Sequence, residues 1–157
     1  MEESITIVRA EPEHASVIKR LFRQVEADSQ PEHPAAQDHA AYGFDKSRSV
    51  FDFLSSDSAW LLLAMHDDLP IGYATLARLP KADSRVGVLY LDELHVLKSH
   101  RRHGVGSALL REAEMIAREI NAWRLRLLVG LKNDTAQQFY KAVGFDVSEA
   151  VFCQKEL

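Results

Sequence analysis

Leu89 to Leu110, LYLDELHVLKSHRRHGVGSALL, reads as a strand, a basic turn and the opening of a helix. The strand part ends at Val96, and two glycines, Gly104 and Gly106, then lead into the apolar start of an amphipathic helix. Such a junction suits an anion. The first N–H groups of a helix lack intrahelical partners, and the aligned peptide dipoles place partial positive charge there, so a phosphate is stabilised at that end. Gly104 and Gly106 remove side chains where a ligand would touch backbone. Lys98, Arg101, Arg102 and His103 add positive charge, and arginine forms paired hydrogen bonds to phosphate oxygens.

Spacing separates three phosphate-binding patterns. A nucleotide P-loop needs Lys and then Ser or Thr directly after its last glycine, whereas Gly106 is followed by Ser107 and Ala108. A dinucleotide fingerprint needs a third glycine where Leu109 stands, and an acidic residue near position 126, where there is none. What remains is a strand ending at Val96 followed by Arg101-x-x-Gly104-x-Gly106 at a helix start. That arrangement resembles the acyl-CoA-binding motif of the GNAT superfamily of N-acetyltransferases. A second stretch, Asn133-x-x-Ala136-x-x-Phe139-Tyr140-x-x-x-Gly144-Phe145, is similar to the other recurrent GNAT segment and lies at the right distance downstream.

The resemblance implies an α/β (α+β) GNAT fold: a mixed, mostly antiparallel sheet of six to seven strands, splayed at a cofactor cleft and flanked by about four helices. It implies acetyl-CoA as co-substrate. Backbone groups around Leu94, His95 and Val96 would hold the acetyl carbonyl and pantetheine arm. Backbone N–H groups from Arg102 through His103, Gly104, Val105, Gly106 and Ser107 would take the pyrophosphate, with Arg101 beside them. Asn133 would bond the pantetheine or phosphate region, and Tyr140 would protonate the departing thiolate. The amine must be neutral to attack, and the N–H of Val96 is the expected donor to the oxyanion. For the base, alternation along the strand puts Asp92 on the face of Leu94 and Val96 and leaves Glu93 opposite with Leu91. Asp92 is therefore first choice. Glu93 is second, because a bulge near Leu94 would reverse the order. His95 is read as structural rather than as a base, and Trp60 and Trp123 as packing residues.

Length and composition agree with one soluble domain over residues 1–157. The formal net charge of −4 argues against nucleic acid as a partner, for which a basic surface is expected, while leaving room for a small cationic substrate. Cys153 is the only cysteine, so no internal disulfide and no cysteine zinc site can form, and the histidines show no metal-ligand spacing; no metal is expected. No apolar run approaches the ~20 residues of a membrane span, and the acidic N-terminus lacks the layout of a secretion signal. The expected location is cytoplasmic.

The remaining elements follow from periodicity and turn chemistry. Ile5–Ala10 is a strand, Pro12 opens a helix to about Asp28, Ser29–Gly43 is a loop with a helical turn around Ala35–Tyr42, and Phe44–Leu54 is a second helix. Ala59–Met65, Ile71–Leu79 and Val86–Val96 make an antiparallel meander, with a turn over Asp67–Pro70. A helix from Val105 to Ile120 crosses over to a parallel strand, Arg124–Leu131. A helix capped at Asn133 or Asp134 ends at Gly144, and Phe145–Glu156 supplies one or two closing strands, with Cys153 in the last. The function expected is direct acetyl transfer from acetyl-CoA to a primary amine in a ternary complex. A small-molecule amine is the leading acceptor, chosen by the segment from Ser29 to Asp57; a protein or peptide amine is the alternative. A non-catalytic acyl-CoA-binding module is the alternative of another class, and a homodimer is the expected form of self-association.

Overall fold

The computed structural model describes residues 4–29 and 49–157. It divides into two compact units, Met1–Arg126 and Leu127–Leu157. Five strands form one mixed sheet in the order β1 to β5: β1 (Ile5–Arg9), β2 (Ala59–His66), β3 (Leu69–Leu79), β4 (Val88–Val96) and β5 (Leu125–Leu127). The helices are α1 (Ala15–Ser29), α2 (Val50–Leu54), α3 (Val105–Glu119) and α4 (Asp134–Ala142).

In the first unit, β1 to β4 are a continuous antiparallel ladder. The β2–β3 turn is tighter than the predicted Asp67–Pro70. Asp67 takes a left-handed φ of 51°, which a short polar side chain tolerates, and Leu69 and Pro70 already belong to β3. Pro70 is tolerated because it stands at the strand start, beside a bulge in which Ile71 is the extra residue between Gly72, paired with Ala64, and Pro70, paired with Met65. Pro12 opens a 3-10 turn before α1, where Glu11 and His14 cap each other. Ser49 and Asp52 form a similar box, so α2 begins at Val50. The earlier part of the predicted second helix, residues 44–48, and the predicted loop with its helical turn at Ala35–Tyr42 lie outside the described residues.

Both faces of the sheet are covered. On one, Leu61, Leu63 and Tyr73 pack with Ile18 and Leu21 of α1 and with Leu97 just past β4. On the other, α3 packs along β1 to β4 and buries Val105, Leu109, Leu110, Ala113, Ile116 and Ala117. Each fully buried aliphatic side chain contributes about 1.5–3 kcal/mol relative to exposure. At the rim of that face Arg9 bridges Glu112 at 2.6 Å and Glu119 at 2.6 Å, tying β1 to α3. Trp123 is not a packing residue. It is 61% exposed, with the Arg124 guanidinium 4.1 Å over its ring.

β5 stops at Leu127 instead of running to Leu131, because Gly130 and the turn that caps α4 follow at once. In the second unit Asn133 is the N-cap, its side chain accepting from Ala136 N–H at 3.1 Å, and Gly144 ends the helix at φ 97°. Of the predicted buried face only Tyr140 is buried; Ala136, Phe139 and Val143 are half-buried. The predicted closing strands at Phe145–Glu156 do not form, so the sheet has five strands among the described residues where six to seven were expected. Val151 and Phe152 are 90% and 65% exposed, so the segment has no apolar face held down for a ladder to form on, and Cys153 is exposed outside any strand.

Candidate active site

The second half of β4 carries the site. Thr75 pairs with Glu93 but the next residue of β3, Leu76, pairs with Leu91, so Asp92 is an extra residue bulged out of the ladder. The bulge flips the count. Before it Leu89 and Leu91 face α3; after it Leu94 and Val96 do, while Glu93 and His95 turn to the α1 face beside their partners Thr75 and Tyr73. Alternation had put Glu93 with Leu91; the extra residue, two positions earlier than the expected bulge at Leu94, overturns that.

On the α1 face Tyr73 is buried, stacked against the His95 ring at 6.2 Å and met edge-on by Phe22 at 5.1 Å. Thr75 Oγ1 donates to Glu93 Oε2 at 3.5 Å, and the Tyr73 hydroxyl lies near enough to the same carboxylate to favour its charged form. Glu93 touches solvent, yet burial first and the Asp92 charge second push its pKa up, with the Thr75 and Tyr73 bonds pulling part of the way back. Burial, then Glu93, push the Tyr73 hydroxyl well above the ordinary tyrosine range, so it stays a donor. Burial first and Arg101 second push the His95 pKa below the ordinary histidine value, with Asp28 pulling the other way. Its buried Nε2 has no hydrogen-bond partner among the described residues.

The backbone at the strand end is equally specific. Leu97 N–H donates to Ile71 O at 2.9 Å, so the neighbouring N–H of Val96 points away from β3. On that side Leu89 N–H donates to Arg124 O at 2.9 Å, and three-residue β5 can cover only the first half of β4. The carbonyl of Val96 is taken by Arg101 Nε at 2.9 Å. Gly72 makes the approach of β3 to this end possible: a Cβ there would lie 2.7 Å from His95 O and 3.3 Å from Val96 Cα.

Beyond Val96 a 3-10 turn, Lys98–His100, leads to Arg102 at φ 67° and Gly104 at φ 79°. Gly104 is the N-cap of α3 and no side chain caps that end, so the first-turn N–H groups of Val105, Gly106 and Ser107 keep no intrahelical partner. Arg101, Arg102 and His103 are exposed beside them. This cradle fits the diphosphate of coenzyme A: open donors, a helix dipole and flanking cations. In the second unit Tyr140 is buried, flanked by Phe139 and Phe145, and burial pushes its hydroxyl pKa up. Asn133 spends its side-chain oxygen on the α4 cap.

Sequence reading missed Tyr73 and Thr75. Their signal was available: two polar-tipped residues two apart in an otherwise apolar strand, GYATL. Asp28, whose carboxylate accepts from Lys98 N–H at 2.8 Å, gave no local signal because its partner lies 70 residues away.

Residues 19–145 match the model of the Acetyltransferase (GNAT) family, and the chain belongs to that family. It is a GNAT N-acetyltransferase, a class of enzyme that uses acetyl-CoA. An uncharacterized N-acetyltransferase of Mycobacterium tuberculosis is 31% identical over 116 residues, 72% of this chain and 71% of that one. An aminoglycoside acetyltransferase from an uncultured soil metagenomic sample, solved with trehalose, superposes with a TM-score of 0.79 at 17% identity, over 99% of this chain and 97% of that one. The aminoglycoside N-acetyltransferase AAC(6')-Iy in complex with CoA gives a TM-score of 0.75 at 21% identity, covering 99% and 97%. Those two likenesses concern the fold. Among the described residues no helix is long and apolar enough to cross a membrane, and no cluster of potential metal ligands occurs.

Proposed function

We propose that the chain moves the acetyl group of acetyl-CoA directly to a primary amine of a small polar molecule, and that residues 1–157 act as one domain, since the family match spans both units. The observation that carries this is the polar group Tyr73, Thr75, Glu93 and His95 beside Val96, whose N–H is aimed out of the ladder. Acetyl-CoA supplies an activated thioester. Its diphosphate would be held by the N–H groups of Val105, Gly106 and Ser107 with Arg101, Arg102 and His103 around them. Leu94 and Val96 would hold the pantetheine arm and acetyl carbonyl through backbone groups, and Val96 N–H donates to the carbonyl oxygen as charge develops there.

Glu93 replaces Asp92 as the base. Burial first and the Asp92 charge second raise its pKa, which strengthens the carboxylate as a proton acceptor, and Thr75 donates a hydrogen bond to it. Asp92, next to it in the bulge, supplies a second negative charge that draws a cationic amine. Tyr140, kept protonated by burial, is assigned the proton for the leaving thiolate on the strength of its motif. Aminoglycoside enzymes of the same fold support a small acceptor carrying amines.

The test is calorimetric titration of coenzyme A into the wild type and Gly104→Asp, followed by thiol release from acetyl-CoA with an amine panel that includes aminoglycosides, polyamines and peptides. A Cβ at Gly104 meets no atom within 4 Å, so the variant adds a charge at the cradle together with the strain of a side chain at φ 79°, and its melting temperature without ligand checks that it folds. Binding by the wild type and loss of about 100-fold or more in the variant is expected, given the dipole and several charge-assisted bonds. Turnover with peptides alone would overturn the small-molecule acceptor; no turnover with any amine would leave an acyl-CoA-binding module.

A further inference from the structure

The last turn of α1 is tied to the start of the cofactor turn. Asp28 Oδ2 accepts from Lys98 N–H at 2.8 Å, and Leu97, the residue before, is buried in the core that α1 forms with β2 and β3. The bond has two evident costs. A carboxylate near a helix C-terminus faces the negative end of the dipole, and this one also stands close to a turn that binds an anion. Asp28 and Arg101 act on His95 in opposite senses, so the three groups share one neighbourhood, with Arg101 reaching back to Val96 O. Lys98 is the first residue of the 3-10 turn that delivers Arg101, Arg102 and Gly104. A backbone N–H held there fixes where the turn begins.

We propose that Asp28 is a positioning residue: it seats the turn from Lys98 to Gly104 for the coenzyme A diphosphate. The inference rests on the cofactor assignment above. It requires the hydrogen bond and not the charge. Asparagine can accept from the same N–H through its amide oxygen while removing a negative charge near the diphosphate; alanine cannot accept at all.

The experiment measures the Kd for coenzyme A by calorimetry, the melting temperature without ligand, and the KM and kcat for acetyl-CoA, for wild type, Asp28→Ala and Asp28→Asn. Asp28→Ala is expected to weaken coenzyme A about five- to tenfold, the worth of one charge-assisted bond, and to raise KM with kcat unchanged. Asp28→Asn is expected to bind as well as wild type or better. A lower melting temperature in Asp28→Ala with Kd unchanged would make Asp28 merely structural and overturn the proposal. Equal weakening in both variants would also overturn it, because charge would then be the cause. Failure of the wild type to bind coenzyme A would instead overturn the cofactor assignment.

Discussion

The two faces of the first unit's sheet do different work with the same strands. The α3 face is apolar throughout its middle, with Leu62, Ala74, Leu76, Leu89 and Leu91 buried, and its charges, Arg9 with Glu112 and Glu119, stay at the rim. The α1 face begins in the same way, with Leu61 and Leu63, but toward β4 it takes in Tyr73, Thr75, Glu93 and His95. Groups of that kind cost free energy when withdrawn from water, as does the buried Nε2 of His95, which has no hydrogen-bond partner among the described residues. One face is apolar through its middle, and the other sets polar groups beside an apolar core of its own.

That division can be broken from either side. Leu109→Ala on the α3 face is expected to destabilise by about 2–5 kcal/mol, measured by denaturant unfolding, while the KM for acetyl-CoA of the folded enzyme stays put. A large KM change would show that the faces are not independent. Glu93→Gln should do the opposite and lower kcat about 100-fold. Because burial and Asp92 raise the folded pKa of Glu93, its contribution to stability is present below the ordinary glutamate value and is lost as pH rises through the folded pKa. At neutral pH the Gln variant is therefore expected to melt higher than wild type, and a lower melting temperature would contradict the assignment of cost to this face. Tyr73→Phe is the mildest. It removes a bond that lowers the Glu93 pKa, so the acidic limb of the kcat profile should move to higher pH, with about a threefold loss at its plateau. An unmoved limb would detach Tyr73 from the base.

Much of this was legible in the sequence where periodicity changes abruptly. The passage from a two-residue to a 3.6-residue repeat between Val96 and Val105 marked strand, turn and helix, and α3 starts at Val105 as expected. The candidate site was legible as far as the backbone positions proposed for it, Leu94, Val96 and the turn from Arg101 to Ser107, which need only an order of elements. Side-chain direction was not, because counting by twos fails at an inserted residue, and nothing in LDEL announces that Asp92 is the one left out of the ladder. Short β5 and the unpaired stretch after Gly144 were misread for a related reason. Alternating apolar residues, as in Phe145 and Val147, describe what a strand could be, and a strand exists only where a partner edge supplies its hydrogen bonds.

Gly72 has a consequence for how sequence space around this enzyme is explored. Every other amino acid carries a Cβ, and that atom would stand 2.7 Å from the carbonyl oxygen of His95. Position 72 thus has no neutral neighbours for drift to reach. In a library covering all single substitutions it would be depleted as thoroughly as a catalytic residue, although it has no side chain with which to do chemistry; what selection would be reading there is the distance between two strands.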